Sequence, residues 1–484
     1  MTVSTPERTV HRAVLPVVML ALATVVSAVA SLNVAIPSIA RATHAGQTQL
    51  SWIIDAYALV FASLLLLGGA IGDRYGRRRA LLAGLTVFAA GSAAAMAVDD
   101  AAWLIAMRGV LGVGAALVMP ATLSTITATF PAERRTRAVG AWAGVAGASA
   151  VVGLLVSGTL LEFWSWRSVF VLNVVLAVAA VAATLAVIPE SADPDAPRLD
   201  VPGALITVVG LGVGVYSVIE APTEGWTSAR TLGGLAVAVV VLAGFVAWEA
   251  RRPNPLFDPR LFRVPAFAAG MLSITLQFFA FFGFVFIVLQ YLQLVKGDRP
   301  IVAAVSLLPM AAAMMPAARG AAPRLAAKLG PRPVVTAGLL LAACGLFVLS
   351  TLDEGSSYWP LLGGLLPLGA GMGLAMTPAT AAITEALPTS EQGVGSAMND
   401  LARELGGALG IAVLGSVLQS AYRADVTGPA RESLGAAVRL GPQVAAQARQ
   451  AFADGMGAAL LCASVALAVA AVAVAALLRG ARTS

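Results

Sequence analysis

Asp400, Arg403 and Glu404 fall within about one helical turn of each other inside an otherwise apolar stretch, residues 394–420. Residues four apart on a helix share a face, so the two carboxylates stand side by side with the arginine next to them. One arginine neutralises one acid. A proton or a cationic ligand would satisfy the other, which is chemistry suited to picking up and releasing a proton. The structural alternative is a plain Arg403–carboxylate clamp. A second constellation sets Asp55, about one turn into an apolar segment, near the depth of Arg108 in another, with Asn33 in a third. Arg108 is expected to pair with, or exchange between, Asp55, Asn33 and a substrate. The alternative is that Asp55 only caps its helix at the water boundary, beside Ser51 and Trp52. An ionisable group in hydrocarbon costs about 3 kcal/mol or more, so each of these asks for a partner or a function.

The elements that position these residues are membrane helices. The chain of 484 residues is 59% hydrophobic and 12% charged, against about 25% charged in soluble domains, which predicts an all-α integral membrane protein. About 20 apolar residues cross a bilayer. Fourteen such segments are expected, at 14–38, 51–71, 80–98, 102–130, 138–161, 168–188, 203–221, 230–248, 266–294, 301–322, 333–351, 358–384, 394–420 and 455–478. An even number puts both termini on one side. Loops on that side hold about twice as many arginines and lysines as the others, which makes it the cytoplasm. The net charge of +6 is explained by these loop arginines, so no nucleic-acid partner is expected. Cys344 and Cys462 lie in apolar runs, and His11 and His44 are too few for a metal cluster. No nucleotide-binding loop, catalytic triad or metal-ligand spacing is present, so neither an enzyme nor a cofactor is expected. The first apolar stretch is longer than a signal h-region and lacks a small-x-small cleavage site.

Between the second and third segments runs Gly69-x-x-x-Asp73-Arg74-x-Gly76-Arg77-Arg78-Arg79. One carboxylate and four arginines in a tight turn cannot lie in hydrocarbon. After the tenth segment Ala327-Lys328-Leu329-Gly330-Pro331-Arg332 echoes it, as expected of duplicated halves with the substrate path between them. The octet and its spacing resemble the loop signature of the major facilitator superfamily. Further fragments extend the likeness over nearly the whole chain to the fourteen-helix drug:proton antiporters: Leu32-Asn33-Val34-Ala35-Ile36-Pro37, Trp52-Ile53-Ile54-Asp55-Ala56-Tyr57, Arg108 with Gly112 and Gly114, Trp166-Arg167-Ser168 through Asn173, and Asn399-Asp400 through Gly407.

The resemblance implies six helices, an inserted pair and six more. The expected division is an N-terminal bundle 1–188, a cytoplasmic linker 189–202, the inserted helices 203–248, a second linker 249–265, and a C-terminal bundle 266–484 with an outer loop at 421–452. It implies a proton-driven exporter of amphiphilic or lipophilic small molecules, working by alternating access. Proton coupling falls to Asp55, Asp400 and Glu404, and charge pairing to Arg108, Asn33 and Arg403. Gly69, Asp73, Arg74, Gly76 and Arg77–Arg79 would latch the cytoplasmic gate. Ala28 stands where the family usually has aspartate, Leu111 where it has glutamine, and Leu154 where its fifth helix has proline. An importer, a uniporter, or a lipid or metabolite exporter of the same fold is the alternative that these departures leave open.

Helix nine is aromatic and amide-rich, and Gln277 and Phe281, one turn apart, are its cavity candidates. Glu220 is read as interfacial, and Arg319 as snorkelling to the headgroups. The partners expected are a small-molecule substrate, protons and membrane lipids, for a monomer in a bacterial cell membrane.

Overall fold

The computed structural model describes residues 5–97, 99–192, 199–252, 255, 257–387 and 392–479. No strand occurs among them, consistent with a chain whose backbone polar groups must be satisfied within hydrocarbon. The first group of helices is α1 (Thr5–Thr43), α2 (Gln47–Tyr75), α3 (Arg77–Ala95), α4 (Ala101–Thr129), α5 (Ala132–Phe163) and α6 (Arg167–Val187). A hairpin follows, α7 (Val201–Glu224) and α8 (Ala229–Glu249). The second group is α9 (Pro265–Gln290), the pieces α10 (Pro300–Ser306), α11 (Leu308–Pro316) and α12 (Ala322–Leu329), then α13 (Pro331–Leu349), α14 (Tyr358–Glu385), α15 (Gln392–Asp425), the short α16 (Leu434–Ala437) and α17 (Pro442–Leu477). Proline opens α9, α10, α13 and α17, where its missing N–H has no intrahelical partner to lose. Asp100 caps α4, its carboxylate accepting the Trp103 N–H at 2.8 Å.

Thirteen helical stretches among the described residues are long and apolar enough to cross a membrane. The fourteenth predicted segment, 80–98, corresponds to α3, which opens on three consecutive arginines. The predicted segment 301–322 falls within one of these stretches, Pro300–Leu329, which is irregular inside: it turns at Leu307 and passes through a π turn at Ala317–Ala321, where Pro309, Pro316 and Pro323 each withdraw a backbone donor. Of the predicted loop 421–452, α15 covers the part up to Asp425 and α17 the part from Pro442, leaving 426–441 as a connection of short helical turns. By contrast α5 runs unbroken past Leu154.

The second group repeats the packing of the first. α1 lies on α5 and α6 as α9 lies on α15 and α17, and α3 lies on α4 and α6 as α13 lies on α14 and α17. Matching glycines allow the close approaches. A Cβ on Gly84 would sit 2.7 Å from the Gly114 carbonyl oxygen, and one on Gly338 would sit 2.7 Å from that of Gly371.

Several bonds between the two groups lie on one face of the bundle. There Gln293 donates to the Val34 carbonyl at 3.0 Å, Arg299 donates to Glu162 through Nε at 2.7 Å, and Arg439 meets His44. We call it the loop face. The opposite face, holding Asp73–Arg79, is the motif face. The hairpin bridges the groups near the loop face. α7 rests on both α2 and α15: Trp52 and Tyr216 stack at 6.1 Å, Ser416 donates to the Val218 carbonyl at 2.7 Å, and Trp226 donates to Ser420 at 2.9 Å. Glu220 lies beside Trp52 of α2. At the hairpin's other end Asp200 accepts from Arg252 at 3.0 Å and from the Trp248 indole at 3.2 Å. Burial pushes the Asp200 carboxyl up, but hydrogen bonds with Glu249, Gly203 and Trp248 and the Arg252 charge outweigh it and hold it below the ordinary carboxylate range.

Candidate functional site

Arg108 is 1% exposed, although it is the largest of the fully buried side chains. α4 carries it inward about 10 Å from its loop-face end. Its Nε donates to the Ile53 carbonyl at 2.8 Å, and its guanidinium lies 4.3 Å from the centre of the Tyr57 ring. Gly112 of α4, whose Cβ would come within 2.7 Å of the Tyr57 carbonyl oxygen, brings the two helices close enough for this. Both terminal nitrogens of Arg108 are buried without a hydrogen-bond partner, as are both carboxylate oxygens of Asp55 and the Tyr57 hydroxyl. Asp55 is 0% exposed. The expected Asp55–Arg108 pair is therefore not formed: the Ile53 carbonyl and the Tyr57 ring take the guanidinium instead. Asp55 is also no cap at the water boundary. Asn33 donates to Val29 of its own helix at 2.9 Å and leaves its buried oxygen unpartnered, so it too stays apart from Arg108.

On α15, Arg403 approaches Asp400 at 3.7 Å and lies 4.7 Å over the Phe278 ring. Among the described residues Glu404 is in no ion pair. The predicted cation–aromatic contact thus falls to Phe278, while Phe281 packs on Phe282 at 5.2 Å. Gln277 is buried and donates to the Ser273 carbonyl at 3.1 Å and to its hydroxyl at 2.9 Å, with its oxygen unpartnered. Gly406 and Gly410 seat α15 against the backbone of Thr275 and Phe279 on α9. α15 also packs against α2. Across that seam the Tyr57 hydroxyl lies within electrostatic reach of both Arg108 and Glu404. Tyr57 therefore joins two constellations that come from different groups. Its signal in the sequence was only its place two residues after Asp55.

The motif loop is bound within its own group. Arg77 pairs with Asp73 at 2.9 Å across the turn at Gly76, where φ is 117°. Arg78 donates to the Leu185 carbonyl at 2.9 Å, its N–H reaches Glu190 at 3.2 Å, and Arg79 lies 3.5 Å from the same carboxylate. Arg74 lies 5.9 Å from the centre of the Tyr75 ring. Glu190, in the predicted linker, is thus the anchor of the cluster, and sequence reasoning missed it. Gly68, rather than Gly69, makes the closest approach, against the Ala116 carbonyl of α4; a Cβ on Gly69 would meet Pro120 at an ordinary 3.4 Å. Asp73→Asn removes the charge that holds Arg77. It is expected to lower transport several-fold while leaving the amount of membrane-inserted protein unchanged. Efflux rate normalised to protein in the same membranes checks this, and a normal rate rejects a role in gating.

Two groups of helices that repeat one packing, with buried charges at their seam and a basic turn in each, suit a transporter rather than an enzyme. The chain belongs to the Major Facilitator Superfamily, whose profile matches residues 18–411. It is 36% identical over 387 residues to the multidrug resistance protein Stp of Mycobacterium tuberculosis, covering 80% of this chain and 72% of that one. It is 33% identical over 478 residues to the multidrug efflux pump LfrA of Mycolicibacterium smegmatis, covering 95% and 94%. Among solved structures it is similar in fold to the POT family transporter PepTSo, with a TM-score of 0.68 at 15% identity over 96% of this chain and 98% of that one.

Proposed function

We propose that this protein exports amphiphilic or lipophilic small molecules from a bacterial cell in exchange for protons. The observation that carries the proposal is the buried seam: Asp55 without a counter-charge, and Glu404 unpaired beside the Arg403–Asp400 pair, linked through Tyr57 to Arg108. A proton and a cationic or polar substrate group compete there for the same carboxylates, and such competition is what couples two fluxes. The names of the relatives support the direction and the substrate class.

In this reading α3 is a further crossing, the helices number fourteen, and both termini lie in the cytoplasm, as the arginine count favours. The loop face is then the outer face. Its bonds between the groups close the path to the outside, while the motif face admits substrate from the cytoplasm. Export requires those loop-face bonds to break and the motif face to close.

Everted membrane vesicles energised with an acid interior test the proposal against a panel of cationic, neutral and anionic dyes. Accumulation of lipophilic dyes that collapses with a protonophore is expected. Accumulation indifferent to the gradient, or net movement only in the opposite direction, rejects it.

A further inference from the structure

The second group holds a cavity of about 1080 Å³ at the motif face, away from the seam, between α9, α12, α13, α14 and α17. Alanine is the commonest residue of its walls. Two charged side chains line it, Arg332 in the first turn of α13 and Glu385 at the end of α14. Neither side chain forms an ion pair or a hydrogen bond among the described residues. The Thr336 hydroxyl, also in the lining, is buried without a partner. Leu329 and Leu340 of the rim are 55% and 43% exposed, so an apolar edge opens towards the bilayer.

The internal repeat shows what this place does in the other group. There the turn at Gly76 opens α3, and Glu190 supplies the anion: its carboxylate accepts the Arg78 N–H at 3.2 Å and lies 3.5 Å from Arg79. In the second group Gly330, with φ 83°, makes the same turn before α13. α17 takes the position of α6, and no carboxylate of a described residue sits on Arg332. The cavity occupies the equivalent position. The Arg332 N–H is among the first, free donors of α13, and a helix start favours an anion.

We propose that this cavity binds a phospholipid whose headgroup carries one phosphate and a primary ammonium, drawn from the adjoining leaflet. The phosphate replaces the role of Glu190, seated on the guanidinium and N–H of Arg332. The ammonium donates to Glu385. The glycerol and upper acyl chains lie on the alanine walls and leave past Leu340. The inference rests on the membrane-spanning fold and not on the direction or coupling of transport.

Full-length protein in detergent, titrated with phosphatidylethanolamine, phosphatidylcholine or phosphatidylglycerol and read by native mass spectrometry, tests it. Phosphatidylethanolamine is expected to bind about tenfold more tightly than the other two, the effect of a charge-assisted hydrogen bond. Glu385→Gln should remove that preference and raise binding of phosphatidylglycerol, whereas Arg332→Gln should weaken all three lipids, which share the phosphate. Ala382→Leu, which fills the cavity and keeps both charges, should weaken all three lipids and serves if the charge variants do not fold. Equal binding of the three lipids by the parent, an unchanged preference in folded Glu385→Gln, or undiminished binding by folded Arg332→Gln overturns the proposal.

Discussion

Glu404→Gln is expected to abolish the pH dependence of efflux and to lower gradient-driven transport by on the order of 10²-fold, the scale of losing a positioned proton-transfer group. Glutamine keeps the length and shape of the side chain but cannot release a proton. The fold should survive, because Arg403 keeps Asp400 at 3.7 Å and the Phe278 ring at 4.7 Å. Asp400→Asn acts differently. It breaks the Arg403–Asp400 ion pair and should lower the thermal midpoint as well as the rate. If α15 held only a structural clamp, Glu404→Gln would leave the pH profile unaltered. Dye efflux at several imposed pH gradients, normalised to folded protein, separates the two.

Arg108→Ala reduces transport by about 10²-fold or more, and lysine does not rescue it. The guanidinium does two things at once: Nε donates to the Ile53 carbonyl while the plane stacks on Tyr57. An ammonium on a flexible stem reproduces neither geometry. Alanine also leaves a void, since the whole side chain is buried. Tyr57→Phe keeps the ring under the arginine and removes only the hydroxyl that feels the Glu404 charge. Its effect should be no more than about tenfold, and it should appear in the pH profile rather than in stability. Efflux rates and thermal midpoints of the three variants check this. Full activity of Arg108→Lys contradicts the account of the seam.

Much of the architecture was legible because a membrane helix needs only length and apolarity, and the Asp73–Arg79 turn announces itself by charges that hydrocarbon excludes. The failures have physical causes. Hydropathy is blind to backbone donors, so it found the crossing at Pro300–Leu329 but not the turn at Leu307 or the π turn at Ala317–Ala321 within it. Arg108 was matched with Asp55 by charge and depth, but a carbonyl and an aromatic ring, which carry no sequence signal of their own, take the guanidinium. Glu190 sits in a polar, proline-rich stretch that looks like a linker until the chain folds back on α3. The seam itself depends on how α15 meets α2, about 350 residues apart, and local pattern does not encode such a contact. Asp400, Arg403 and Glu404 were found because their spacing is local.

The central claim is exchange of substrate for protons at the seam. Purified protein in liposomes with a pH-reporting dye inside, and an imposed gradient of a transported lipophilic substrate with no initial pH difference, tests it most directly. Proton movement opposite in direction to the substrate, absent in Glu404→Gln, is the predicted result. Substrate movement with no proton movement, or with protons moving the same way, would contradict it.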